Sequence, residues 1–405
     1  MVKRWQEDEL CAEISARQGI HLTGIRQSGK KALVKRISSR KIRQLNLDDG
    51  QILVAAKNDP VSFVDRRDNK QLAIAEIQRA PELFGAIKIK LDNNASTGQY
   101  LVSSSSNLLN RQEVIDPLVD RLGCVRLRTL ALGELRGGKG DFISRAFARD
   151  FPATFDQFDK RDVIHEAFCG GYSEARSCGI RARRRWFDEY LRDLLTRDAV
   201  EATVIRKRES LRKVAHWMMA NSAKFFRLND LCQAAQIGKE TLAAYLEALQ
   251  AVYLVEAVPP WAGCDYAKRG KRQKYFASDP GLVANLLGWN EDKVYYDDDK
   301  CTVLVKTWVG HELAVLADLA KGCVVEQYRD SDKREVDFVV KAPKRGILGI
   351  TVKVGTVSEG DFKQLKWFHE TLYRGKFTGI VLYSGCETRS FGEGFYAVPF
   401  SALAL

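Results

Sequence analysis

Gly24, Gly29 and Lys30 stand in the octapeptide GIRQSGKK at the spacing with which a backbone loop can wrap a phosphate. Glycines at the first and sixth positions let N–H groups curl around anionic oxygens. A helix expected over the following ALVKRI would add the positive end of its dipole. Lys30 would reach the outer phosphates, with Arg26, Gln27 and Ser28 completing the loop. The pattern G-x-x-x-x-G-K-[ST] ends in a hydroxyl that ligates magnesium, and here that position is Lys31. A protonated lysine has no lone pair to give a metal. It would oppose a divalent ion about 4 Å away by roughly 8 kcal/mol at an effective dielectric near 20, before phosphates screen the pair. An ammonium there can instead supply part of the charge that the metal would have brought.

Downstream, the apolar run Leu72, Ala73 and Ile74 leads into Ala75 and Glu76. An aspartate in place of Ala75 would orient magnesium, and Glu76 keeps the carboxylate that would activate a water. Glu76 could equally serve as a structural hydrogen-bonding group. Two metal-organising groups are thus absent together while the phosphate cradle and a candidate base remain. Ser103 to Ser106 in QYLVSSSSNLL provide polar groups at the end of another strand, with Ser103 the expected phosphate sensor. An ordinary serine-rich turn capping a helix is the alternative. Arg121 is a candidate charge-stabilising arginine, acting in cis or on a neighbouring subunit.

Near the C-terminus, Asp337 in REVDFVV and Lys353 in GITVKV stand at the spacing of a D…[EQ]xK nuclease centre, in which two acids hold magnesium and a lysine steers water. Glu312 fits an accessory acidic position, and strand alternation would bring Glu335 to the face of Asp337. The glutamate position itself is Thr351, a weak ligand for a hard cation. No metal site is expected, and magnesium is not expected to be held at either centre.

Charge adds a further partner class. The chain of 405 residues carries a formal charge of +12, and the segment KRGKRQK contributes Lys268, Arg269, Lys271, Arg272 and Lys274 without a nearby acid. These five are the candidate nucleic-acid contacts. Between Arg176 and Lys213, twelve cations face six acids, so a salt-bridged helix face is as good a reading there as a binding surface. The nine cysteines are scattered singly, without the pairing of a zinc site. No apolar run is long enough to span a bilayer and the start MVKRWQEDEL is not that of a signal peptide, so a cytoplasmic protein without membrane contact is expected.

These residues need elements to hold them. Short β-rich runs (GIHLTG, RQLNLDD, QLAIAEI, QYLVSSSS, CVRLRTL) alternate with helical stretches to about Arg136, which predicts a helix-covered parallel sheet. A mostly helical block follows, including WFDEYLRDLLTRDAVEATVI and LRKVAHWMMA. Helices over Leu228–Ala235 and Lys239–Gln250, a turn at Ile237–Gly238 and a strand pair have a winged-helix rhythm, with KRGKRQK as the wing. EDKVYYDDDK, residues 291–300, reads as a linker or exposed loop, after which β-rich runs return.

The ordered set GIRQSGKK, LNLDD, AEIQRAPELFGAIKIKLDNN, QYLVSSSSNLL, PLVDRLGCVRLRTLALGEL, GGYSEA, VPPW, KYFASDPGLVANLLG, VGHEL, YRDSDKREVDFVV and GITVK resembles a family of prokaryotic AAA-type ATPases along nearly the whole chain. In that family the loop usually reads GPRQ-[SV]-GKT and the second strand ends in DEIQ. The resemblance implies an α/β fold: a P-loop NTPase parallel sheet (1–137), then a helical winged-helix module (138–290), then a restriction-endonuclease-like α/β domain (291–405). It implies ATP or ADP as ligand. The departures at Lys31, Ala75 and Thr351 favour a nucleotide-binding scaffold on nucleic acid, a protein partner or a second copy. A working ATPase, with Glu76 as base and Asp48 or Asp49 near the metal, and a nuclease using Asp337, Glu335 and Lys353 are the rival readings.

Overall fold

The computed structural model describes residues 2–37, 42–65, 71–107, 121–199, 207–263 and 273–405. Five strands, β1 (Gly19–Thr23), β2 (Ile42–Asn46), β3 (Gln71–Ala75), β4 (Tyr100–Ser104) and β5 (Leu122–Arg126), form one parallel sheet in the order β2-β3-β4-β1-β5. Strand alternation sends Leu72, Ile74, Tyr100 and Val102 to one core with Phe84 and Ile87 of the helix Leu83–Asp92. Ala73, Leu101, Ile20 and Leu22 go to the other face, against Leu10 of the helix Gln6–Ala16 and Leu33 of the helix Lys30–Ile37. Both faces are covered, so β1 and β4 are buried at every position, as a parallel sheet requires.

Register puts the business ends of the strands level. Thr23 lies opposite Ser104 on one side and Arg126 on the other, and Ala75 lies opposite Ser103. The loops leaving β1, β3 and β4 therefore share one rim, the carboxyl edge at which open α/β sheets take their ligands.

The middle of the chain is helical. Helices Leu228–Ala235 and Lys239–Ala251 occur where their apolar period placed them. The antiparallel pair β6 (Val255–Val258) and β7 (Lys274–Ala277) follows. The segment 291–300 is not a linker: Glu291–Tyr295 is helical, and Asp298 opens the 22-residue helix Asp298–Leu319. Asn290 and Asp297 explain this, since their side chains accept from the first backbone N–H groups of the two helices. The acids that suggested solvent are helix caps and first-turn residues.

A mixed six-stranded sheet ends the chain, in the order β12-β13-β11-β10-β9-β8. Its strands are β8 (Val324–Arg329), β9 (Glu335–Ala342), β10 (Gly346–Lys353), β11 (Phe377–Tyr383), β12 (Arg389–Ser390) and β13 (Phe395–Pro399). One apolar cluster runs from Phe168 and Met218 of the helical block through Trp308 to Phe338 and Leu403. The last residues return to the start of the helical block, where Gly140 N–H donates to the Leu405 main-chain oxygen at 2.7 Å. Among the described residues no helix is long and apolar enough to cross a membrane.

Candidate nucleotide site

The loop after β1 is shaped by its glycines. Gly24 has φ +146°, and a Cβ there would lie 2.0 Å from the Leu127 carbonyl oxygen, so only glycine lets the loop press against the chain leaving β5. Gly29 has φ +98°, and Gln27, at φ 61°, is also in the left-handed region. Arg4 braces the turn from outside: it donates to the Ser28 carbonyl at 2.7 Å, to the Arg128 carbonyl at 2.8 Å and to buried Glu134 at 2.8 Å. The Ser28 hydroxyl is buried with no hydrogen-bond partner among the described residues.

Lys30 is buried and donates to the Gly24 carbonyl at 2.6 Å and the Ile25 carbonyl at 2.9 Å. Burial pulls its ammonium down to about 8, against the opposing attraction of Glu76. The loop opens on a cavity of about 410 Å³ walled by Arg26, Gln27 and Gly29 to Ala32, by Asp48, by Glu76, Gln78 and Arg79, by Ser105, and by Ser173, Glu174 and Asp198 of the helical block. Gly24, Arg26, Gln27, Ser28, Gly29, Lys30 and Lys31 thus form one turn, and all but the outward-braced Gly24 and Ser28 line the cavity.

Opposite the loop stands Glu76. Its backbone is left-handed (φ 59°, ψ 43°), a strained state that aims the side chain off the end of β3. Its Oε2 accepts from the Gln78 amide and from the Ser105 hydroxyl, each at 2.7 Å. The serine that meets the carboxylate is therefore Ser105, not Ser103. Ser103 is still inside β4, beside Ala75, and lines a neighbouring cavity of about 370 Å³ with Lys31 and Leu101. Ser103 and Ser105 are two positions apart, with Ser104, the last residue of β4, between them.

Lys31 Nζ lies 3.4 Å from Asp48, whose other oxygen accepts from Arg79 at 3.1 Å. Asp49 caps the helix Gly50–Asn58 by accepting from the N–H groups of Gln51 and Ile52. Ala75 offers no ligand. The residues present do not fit a magnesium ion: lysine holds the hydroxyl's place, alanine the aspartate's, and Asp48 beside Lys31 is already shared by two cations. Among the described residues no group of three or more His, Cys, Asp or Glu is placed to hold a metal. Four cations that could meet a phosphate chain, Arg26, Lys30, Lys31 and Arg79, line the cavity.

Arg121 is not part of this site. It precedes Leu122, which pairs with Gly19 at the amino end of the sheet, and it is bonded to Asp92. The topology puts it at the edge away from the phosphate loop.

The D…TxK residues form a different object. Asp337 is buried, with Oδ1 bonded to Lys306 and 3.7 Å from Lys274, while Oδ2 accepts from Val352 N–H at 3.0 Å. Burial opposes its ionisation, but Lys306 and Lys274 outweigh that and hold it below the usual carboxylate range. Glu335 does share the face of Asp337, accepting from Lys274 at 2.8 Å. Two ammonium groups fill the space between the acids. Lys353 points elsewhere, to Asp361 at 2.9 Å. Glu312 turns into the core, where it accepts from Leu132 N–H at 3.0 Å and meets His311. The Thr351 hydroxyl is buried without a hydrogen-bond partner among the described residues.

Lys274 is fully buried and cannot contact a polyanion from there; every residue of β7 is buried, and its partners Glu335 and Asp337 hold it inside. Lys268, Arg269, Lys271 and Arg272 lie outside the described residues. Several arginines of the other cluster are spent inside: Arg176 on Glu166, Arg183 on the Ala175 and Cys178 carbonyls, and Arg184 on the Trp289 carbonyl.

Sequence reasoning missed Arg4, Gln78, Arg79 and Asp198. Gln78 and Arg79 lie two and three positions after Glu76, and a tight turn there would have pointed to them. Arg4 and Asp198 carried no local signal.

The N-terminal block is an AAA-type P-loop domain: residues 16–136 match the family model described as AAA domain. Two family models described as domains of unknown function match residues 160–293 (DUF8612) and 303–403 (DUF4143). The chain is similar to the uncharacterized proteins Rv2008c of Mycobacterium tuberculosis and Mb2031c of Mycobacterium bovis, each 24% identical over 332 residues, 80% of this chain and 68% of the relative. Among solved structures it resembles the Walker-type ATPase PABY2304 of Pyrococcus abyssi at 15% identity and a TM-score of 0.43, covering 71% of this chain and 96% of that one. The Thermotoga maritima RuvB Holliday junction branch migration motor gives 16% identity and a TM-score of 0.29, with 64% and 90% covered.

Proposed function

We propose that this protein binds a nucleoside di- or triphosphate, ATP or ADP, in the cradle from Gly24 to Lys31, with lysine and arginine supplying charge that magnesium would otherwise bring. It works as a nucleotide-responsive scaffold rather than as a magnesium-dependent hydrolase. One observation carries this reading: Lys31, bridged through Asp48 to Arg79, stands on the cavity wall where a metal-ligating hydroxyl belongs. Lys30 would trade a loop carbonyl for a phosphate oxygen. Calorimetric titration of ATP and ADP, in EDTA and then in magnesium, tests it. Binding of comparable strength in both buffers is expected, and strict dependence on magnesium would contradict the role given to Lys31.

A second reading, an active ATPase, is favoured by Glu76 alone. Its carboxylate faces the cavity and is steadied by Gln78 and Ser105, as a base for an attacking water needs.

The organisation that goes with the first reading is a P-loop unit over 1–137, a winged-helix unit over 138–290 and a restriction-endonuclease-like unit over 291–405 whose acids are neutralised by lysines. Exposed Arg181, Arg185, Arg208 and Arg212, within a chain of formal charge +12, support nucleic acid as the partner of the scaffold. Fluorescence anisotropy with labelled duplex DNA at low and moderate salt checks this. Binding that weakens steeply with salt is expected, and no binding at low salt removes nucleic acid from the proposal.

A further inference from the structure

Asp198 lines the same cavity as Lys30 and Lys31, although it belongs to the helical block. Arg26 Nη1 donates to both of its oxygens, at 3.1 and 3.2 Å. The pair is more sheltered than a surface ion pair, with Asp198 at 14% side-chain exposure. Burial works against the Arg26 charge, but Asp198 outweighs it and raises the guanidinium above its ordinary value. The carboxylate is delivered by a π-helical turn, Leu194–Asp198, continuing the helix Ile180–Asp193. Such turns are rare and concentrate at functional sites. Leu194 and Leu195 anchor this one in the helical core. From the same helix, Tyr190 donates to the Arg26 carbonyl at 3.4 Å, receives a bond from Tyr172 at 3.0 Å and stacks on Trp186. Tyr172 immediately precedes Ser173 and Glu174, which also line the cavity.

We propose that Asp198 is an internal competitor for the nucleotide: it occupies the Arg26 guanidinium in the free protein, and phosphates displace it. This rests on the nucleotide reading of the same cavity. A guanidinium fork suits phosphate oxygens as well as it suits a carboxylate. A polyphosphate held at Lys30 and Lys31 would repel the Asp198 carboxylate while attracting Arg26, so the two anions cannot share it equally. Exchange of partners releases the Leu194–Asp198 turn from the phosphate loop. Nucleotide occupancy is thereby reported to the helical block, and Asp198 sets the affinity as well as the report. By reciprocity, whatever holds the turn in its released position tightens nucleotide binding by the same factor.

The test is ATP titration in EDTA on the full chain and on Asp198→Asn and Asp198→Glu, with hydrogen–deuterium exchange over residues 190–199. Asp198→Asn is expected to tighten ATP binding by roughly 10-fold, within the usual range of coupling between sites. Asp198→Glu, which keeps the charge, should stay within about 3-fold of wild type. ATP should speed exchange at 194–199 in the wild type, and the same amides should already exchange faster in Asp198→Asn without nucleotide. Wild type that binds ATP with no change in exchange there, or an Asp198→Asn chain that binds no tighter, overturns the competitor role while leaving the nucleotide site intact. If Asp198→Asn does not fold, the wild-type exchange experiment and Asp198→Glu decide. Failure of every chain to bind ATP overturns the nucleotide reading itself, and this inference with it.

Discussion

Lys31 and Asp48 lie 3.4 Å apart at the mouth of the cavity, and Arg79 holds the second oxygen of the same carboxylate at 3.1 Å. Lys31 is 61% exposed and Asp48 42%, so the pair contributes at most about 1 kcal/mol to the fold. The charge is therefore available to a ligand at little structural cost. Lys31→Thr restores the usual hydroxyl. It should leave urea stability within about 1 kcal/mol of wild type, weaken ATP binding in EDTA by roughly 5-fold, the equivalent of about 1 kcal/mol, and introduce a gain on adding magnesium. Unaltered affinity in EDTA would show that Lys31 gives nothing to the phosphates.

The Glu76 carboxylate offers a separate handle, because it faces the cavity without touching the loop lysines through a direct bond. Its donors, Gln78 and Ser105, position it. Glu76→Gln should leave ATP affinity within about 3-fold while lowering any ATP turnover by about 100-fold, the scale of a lost general base. Ser105→Ala should lower kcat with little change in KM. Turnover that survives Glu76→Gln unchanged would exclude Glu76 as the base and with it the active-ATPase reading.

Lys30 makes the affinity depend on pH. Burial holds the free ammonium near 8, below its ordinary 10.5, and bound phosphate favours the charged form. ATP affinity should thus be full below pH 8 and fall as pH rises through 8, by up to about tenfold per unit. Binding at pH 8 should take up protons, seen as an enthalpy that varies with the ionisation heat of the buffer. For folding the sign is opposite. The unfolded chain binds the extra proton between about 8 and 10.5, so the contribution of Lys30 to stability rises with pH across that window. An affinity flat from pH 7 to 9.5 would show that Lys30 does not meet the phosphates.

How much of this was readable in advance follows from the range of the interactions. GIRQSGKK and the β-rich runs are local signals: the parallel sheet they predict is there, and Glu76 stands just past β3 on the same cavity as the loop. Ser105 was within the serine run, but the choice of Ser103 needed the point at which β4 ends. Arg121 needed the strand order, which puts it at the opposite edge from Gly24. Lys274 was grouped with its sequence neighbours as a surface cation. What buries it are Glu335 and Asp337, some sixty residues away, and no local pattern encodes that pairing. Asp198 is of the same kind: a lone acid in a charged helix until the π-helical turn brings it to Arg26.

A second clamp of half-buried charge joins the first block to the β6–β7 pair. Glu256 accepts from Arg126 at 2.6 Å and from Arg128 at 2.5 Å, and Arg128 also donates to Asp318 at 2.6 Å. Burial opposes ionisation of Glu256, yet Arg126 and Arg128 prevail and bring it down to about 2 from the ordinary 4.5. Its contribution is complete above 4.5 and is lost as pH falls toward 2. Glu256→Ala should cost about 3–5 kcal/mol, because it strands two arginines in a sheltered site. In such a variant, the acid limb of the stability curve below 4.5 should also flatten. A loss under 1 kcal/mol would mean that this clamp contributes little to holding the first block to the β6–β7 pair.

The Asp337 cluster is a further place where a buried acid is balanced by lysines. Removing the acid leaves Lys274, at 1% side-chain exposure, with Glu335 as its remaining acid and leaves Lys306 short of its main one. Asp337→Asn should therefore destabilise by about 3–5 kcal/mol in urea or thermal unfolding. Because attraction to the lysines lowers its ionisation range, the stability it gives persists at neutral pH and disappears in acid, as pH falls through the depressed value. If the cluster is purely structural, wild type does not nick supercoiled plasmid in magnesium or manganese. Asp337→Leu combined with Lys306→Met should then recover part of the loss seen with Asp337→Leu alone, since the pair is removed rather than broken. Nicking by the wild type that vanishes in Asp337→Asn would instead require the two ammonium groups to give way to a metal, and would assign catalysis to the C-terminal sheet.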